Sequence, residues 1–117
     1  MIFKNKRENT EWGWRTYYTG PNDSVRFALY AYDDDPKTLY FSNLFVDPKH
    51  RGHKLGDEVL DYVENIAKLN SYESIILNVK KDSWVRDWYE KRGFEYMEDC
   101  GDDYSGNVWM RMDLTSR

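Results

Sequence analysis

The chain has one cysteine, three prolines, two histidines and no long apolar run. The single cysteine, Cys100, excludes an intramolecular disulfide and points to a reducing compartment. It stands beside Asp99, Asp102 and Asp103, surroundings that disfavour a thiolate, so it reads as inert. A membrane helix needs ~20 consecutive apolar residues, and none are present. The opening Met-Ile-Phe-Lys-Asn-Lys-Arg-Glu has no hydrophobic stretch of a secretion signal, so the expected address is cytoplasmic with no membrane partner. Basic charge is also scarce: 17 Lys and Arg face 21 Asp and Glu, a net charge of −4, which argues against a nucleic-acid partner. Bulk, by contrast, is present. The hydrophobic fraction is 40% and the aromatic fraction 17% over 117 residues, enough for a single domain, 1–117, with one core.

Residues 1–11 carry a weak pattern, that of a short edge strand or a loose tail. Trp12–Thr19 is aromatic and β-branched, Gly20–Ser24 is turn chemistry, and Val25, Phe27, Leu29 and Ala31 alternate with their neighbours. Two strands of an antiparallel hairpin follow from this. Asp33–Lys37 reads as the next turn, and Leu39–Val46 as a strand covered on both faces. Leu55, Val59, Leu60, Val63, Ile66 and Ala67 then recur at helical steps, predicting a helix of about five turns. Ser74–Lys80 is a further strand, so the region forms a βαβ unit with parallel strands and a right-handed crossover. Asp82 or Ser83 caps a second helix whose apolar face is Trp84, Val85, Trp88 and Tyr89. Gly93 ends it with Phe94 as the apolar contact, and strands at 94–97 and 108–114 complete the order β-β-β-α-β-α-β-β. The expected class is α/β (α+β): a mixed, mostly antiparallel sheet with helices packed on it.

Between the third strand and the first helix lies Asp47-Pro-Lys-His-Arg-Gly-His-Lys-Leu-Gly56, with Lys49, His50, Arg51, His53 and Lys54 in six residues. Cations at the positive end of a helix dipole are unfavourable unless an anion sits there, and the exposed N–H groups make a seat for phosphate. A solvated basic turn is the plain alternative. His50 and His53 lack a third ligand nearby, so no metal site is expected. Asp33–Asp35 and Glu98–Asp103 are either solvated acidic turns or lures for a cationic substrate. Tyr89, on an apolar helical face, is either a core residue or a functional hydroxyl.

Val46-Asp-Pro-Lys-His-Arg-Gly-His-Lys-Leu-Gly56 resembles the acyl-CoA-binding motif of the GNAT (Gcn5-related) N-acetyltransferase superfamily, and Tyr89-Glu-Lys-Arg-Gly-Phe94 resembles its second signature. The two stand in the family's order, and the resemblance spans residues 12 to 114. It implies the GNAT-like fold, here lacking most of the N-terminal helices. It implies acetyl-CoA as cosubstrate, its pyrophosphate on Arg51, Gly52, His53, Lys54, Leu55 and Gly56 and its pantetheine along Leu44, Phe45 and Val46. It implies Tyr89 as the acid that protonates the leaving thiolate, and Asp82 at a cofactor-contacting position where the family often has Asn. Two further departures stand out. Lys54 replaces a usual Gly, and no Glu or Asp lies in residues 39–46 to act as base, where Ser42 and Asn43 can hold a water. The implied function is transfer of an acetyl group to a primary amine of a small-molecule or peptide acceptor by direct attack; the alternative is a non-catalytic acyl-CoA-binding or interaction module. Trp12, Trp14, Tyr17 and Tyr18 cover the sheet where helices are missing or line an acceptor groove, and an uncovered face predicts a homodimer.

Overall fold

Four strands, rather than three, precede the first helix. The computed structural model describes residues 2–52, 54–97 and 106–115, and within them β1 (Lys4–Asn9) pairs antiparallel with β2 (Gly13–Thr19) along its full length. The N-terminal segment is thus the edge strand, held by backbone bonds and by Phe3, whose ring meets Tyr18, Phe27 and Tyr62. Its two lysines and one arginine suit an edge that must not pair with a second chain. β3 (Val25–Tyr32) pairs antiparallel with β2, and the Tyr18 and Phe27 rings stack across the register at 4.7 Å.

β4 (Asp35–Val46) starts earlier than the composition of 33–37 suggested. The turn shrinks to Asp33–Asp34 because Asp35 is held inside the strand: its carboxylate accepts hydrogen bonds from the Thr38 and Tyr40 hydroxyls at 2.9 and 3.0 Å. Pro36 falls where the β3–β4 register is irregular, a place that tolerates the missing donor. From Leu39 onward only one face of β4 is deeply covered: Leu39 and Phe41 are buried, whereas Tyr40 and Ser42 are half-buried and Phe45 is exposed.

α1 (Leu55–Leu69) has 15 residues, about four turns rather than five. It buries Val59, Leu60, Val63 and Ala67 and leads into β5 (Ser74–Lys80), parallel to β4. α2 (Trp84–Lys91) follows. It ends as expected: Gly93 has φ +108, its N–H donates to Glu90 O, the Phe94 N–H donates to Tyr89 O, and the two rings meet edge-on at 5.5 Å. Its start differs, because neither Asp82 nor Ser83 makes a side-chain cap. Phe94 is consumed by the cap, so β6 is only Glu95–Tyr96, paired with β7 (Asn107–Asp113). The sheet order is β1-β2-β3-β4-β5-β7-β6, with β4–β5 the parallel neighbours.

Both helices join one core with Val25, Phe27, Leu29, Leu39, Phe41, Ile75, Leu77, Val79, Val108, Met110 and Met112. The alternating positions, Tyr17, Arg26, Tyr30, Tyr40, Ile76 and Trp109 among them, form the opposite face, which neither helix covers. No helix among the described residues is long and apolar enough to cross a membrane.

Candidate active site

The site begins where two parallel strands part. The β4–β5 ladder ends at Phe41 opposite Leu77, so among the described residues Ser42–Val46 have no strand partner on that side. The cause lies in the β3–β4 register: Ala28 opposes Ser42 but Arg26 opposes Phe45, so Asn43 and Leu44 together face Phe27. One extra residue in one strand is a β-bulge, which bends the strand and re-aims its side chains. The Phe45 ring consequently faces out under the Arg26 guanidinium, 4.7 Å from ring centre to Cζ.

After Val46 the chain makes a tight turn. Asp47 accepts from Lys49 N at 2.9 Å, Pro48–His50 forms one 3-10 turn, and Arg51 Nε donates back to Val46 O at 3.1 Å. Gly52 has φ +88, and a Cβ there would meet nothing within 4 Å, so its glycine serves conformation and not space. Lys54 is also left-handed, φ 58, and precedes α1 without capping it. The first helical bond is Glu58 N to Lys54 O, so the N–H groups of Leu55, Gly56 and Asp57 have no acceptor within the helix. His50, Arg51 and Lys54 line the same groove.

α2 supplies the opposite wall. Gly56 has no side chain because Trp88 occupies the space: a Cβ would stand 3.1 Å from two of its ring carbons. Arg92, at the end of α2, reaches three carboxylates of α1: Asp61 at 2.7 Å, Glu64 at 3.1 Å and Asp57 at 3.6 Å. The walls enclose a groove of 740 Å³, lined from β4 through the basic turn and the start of α1 to Trp84, Val85, Trp88 and Tyr89. A second cavity of 430 Å³ shares Leu44, Val85 and Tyr89 with it and extends between the parted strands to Ser42, Asn78 and Asn107. Two hydroxyls lining this cavity, Ser42 Oγ and Ser83 Oγ, are buried with no hydrogen-bond partner among the described residues.

Tyr89 borders both spaces. It is buried, its hydroxyl has no hydrogen bond among the described residues, and burial pushes its phenol well above the ordinary tyrosine value. Burial therefore keeps the phenol neutral.

The groove unites Leu44, Phe45, Val46, Arg51, Gly52, Lys54, Leu55, Gly56 and Tyr89. Asp82 is exposed and lines neither space. His53 and the acidic stretch 98–103 lie outside the described residues. Asp33–Asp35 sit at the far end of β4, nine residues and roughly 30 Å from Leu44, away from the groove. Among the described residues no three His, Cys, Asp or Glu side chains stand close enough together to hold a metal. Sequence reasoning missed Trp84 and Trp88 as lining residues; their i, i+4 spacing was visible but read as core, whereas Trp84 is 76% exposed.

The model of the acetyltransferase (GNAT) domain family matches residues 15–96, which take in the basic turn and Tyr89. The chain belongs to the GNAT acetyltransferase family. The GNAT fold is also that of an acetyltransferase of Streptococcus agalactiae (TM-score 0.71, 20% identity, 86% of this chain and 67% of that one). The PaiA N-acetyltransferase of Thermoplasma acidophilum, solved with coenzyme A, shares it as well (TM-score 0.68, 17% identity, 86% and 60%). A GNAT family acetyltransferase of Elizabethkingia anophelis with acetyl-CoA bound gives a TM-score of 0.66 at 19% identity, over 86% and 76% of the two chains. At these identities the likeness is one of fold. The GNAT chain spans 60% to 76% of these three relatives. No curated protein matches the sequence.

Proposed function

We propose that the protein transfers the acetyl group of acetyl-CoA to a primary amine, and that the groove between the basic turn and α2 holds the cosubstrate. The observation that carries this reading is the meeting of both motif segments in one groove: the parted edge of β4, the uncapped start of α1 and the Tyr89 hydroxyl. The pyrophosphate takes the N–H groups of Leu55, Gly56 and Asp57, with Arg51 and Lys54 supplying charge. Pantetheine pairs with Leu44–Val46, whose β5-facing side has no strand partner among the described residues. The neutral amine attacks the thioester carbonyl, and a backbone N–H of this segment stabilises the oxyanion. As the C–N bond forms, the C–S bond breaks; Tyr89 gives its proton to the thiolate and regains one from solvent. The amine's own surplus proton leaves through water beside Ser42, since no described residue of the second cavity is a carboxylate.

That last feature favours a second reading, an acyl-CoA-binding module without turnover. Coenzyme A at ~100 times its Kd adds about 2.7 kcal/mol to folding stability, a clear rise in Tm under either reading. Release of free thiol from acetyl-CoA across a panel of primary amines then separates enzyme from binder. In the enzyme, Tyr89→Phe should lower kcat by about a hundredfold and change coenzyme A affinity less than twofold. Unchanged turnover would remove Tyr89 from the chemistry.

A further inference from the structure

Trp84 is the first residue of α2 and is 76% exposed. Nothing local calls for an indole there: tryptophan is a middling helix former, and the ring takes no part in the core or its fringe. Its neighbour one turn on, Trp88, is half-buried and lies against Gly56, in the first turn of α1. Spacing of four residues puts both indoles on one side of α2, and both line the large groove. The first-turn N–H groups of α1, the Trp88 ring edge over Gly56 and, one turn back along α2, the exposed Trp84 indole therefore all border the same groove.

This order matches the order of groups in the nucleotide half of coenzyme A. A ligand with its diphosphate on the first turn of α1 has Trp88 beside it and, one turn from Trp88 along α2, an exposed indole that lines the same groove. The aromatic plane of coenzyme A is its adenine, which a ribose joins to the pyrophosphate. We propose that Trp84 is the stacking platform for that base, so that this chain grips the nucleotide end of the cosubstrate by an aromatic contact. The inference rests on the coenzyme A reading of the groove. Stacking of a base on an aromatic side chain tolerates any base, and its loss typically costs about tenfold or more in affinity.

The test compares ADP with inorganic pyrophosphate as competitors of coenzyme A on the full chain, in wild type, Trp84→Ala and Trp84→Phe. Pyrophosphate reports the seat on α1 alone, while ADP reports the seat plus the base. Wild type should prefer ADP, Trp84→Ala should lose about tenfold or more of that preference, and Trp84→Phe should retain most of it. ADP should also quench the indole fluorescence of wild type more than that of Trp84→Ala. An ADP-to-pyrophosphate ratio unchanged by Trp84→Ala overturns the inference even where coenzyme A binds normally. If coenzyme A itself gives no thermal shift with wild type, the reading of the groove fails and the inference falls with it.

Discussion

Lys54 shows how one residue can trade backbone strain for charge. Its φ of 58 is left-handed, a conformation that costs a non-glycine residue roughly 1–2 kcal/mol. Its ammonium also stands at the positive end of α1, where a cation is unfavourable in the empty protein. Both costs vanish in Lys54→Gly, part of the gain being offset by the extra chain entropy of glycine. Lys54→Gly should therefore raise the Tm of the free protein by a few degrees. It should also weaken coenzyme A about three- to fivefold, because an exposed charge pair contributes about 0.7–1 kcal/mol. Calorimetry with and without coenzyme A checks both signs, and tighter binding by the glycine variant would show that the lysine obstructs the phosphates. Gly52 is the counterpart. It keeps its φ of +88 as glycine, where a substitution is strained although there is space for it.

At the scale of elements, the groove exists because α1 and α2 are held at a set separation. Two contacts do this: the Trp88 ring seated over Gly56, and the Arg92 guanidinium shared by Asp57, Asp61 and Glu64. The three carboxylates recur at helical spacing along one face of α1, so without Arg92 they repel one another. Asp57 additionally lines the groove and would oppose a phosphate unless balanced. Arg92→Met should lower stability by about 1–2 kcal/mol, or roughly 5 °C in Tm, and the difference should shrink at high salt. Coenzyme A affinity should fall in parallel, as titration at low and high ionic strength would show. A Tm equal to wild type at low salt would mean that the cluster does not hold the helices together.

For the whole molecule, the distribution of tyrosines sets the behaviour in alkali. Burial raises the phenols of Tyr18, Tyr72 and Tyr89 above the ordinary value of 10.0. Burial, aided by the hydrogen bond to Asp35, pushes Tyr40 up to about 12. A raised pKa means that the folded chain keeps a proton the unfolded chain has lost. The stabilisation is fully present below pH 10 and disappears as pH climbs from 10 towards 12. Denaturant unfolding between pH 9 and 12 should show this decline, with a shallower slope in Tyr40→Phe. Equal slopes for the two proteins would place the loss elsewhere.

The sequence by itself determined the class of sheet, the βαβ unit, the helix cap at Gly93–Phe94 and the two segments that build the groove. These are local matters of alternation, helical spacing and turn chemistry, and they survive folding because every neighbouring choice agrees with them. Tertiary structure alone decided the rest. The segment before residue 12 has almost no pattern of its own, and only the bonds offered by β2 make it a strand. The turn at Asp33 shortened because Thr38 and Tyr40 reach back to Asp35. Trp84 and Trp88 share one spacing, yet one indole is half-buried against Gly56 and the other is open to solvent, since burial depends on what the opposite helix presents. The parting of β4 from β5 follows from a single unmatched residue in the register with β3, a mismatch that exists only once the strands have met.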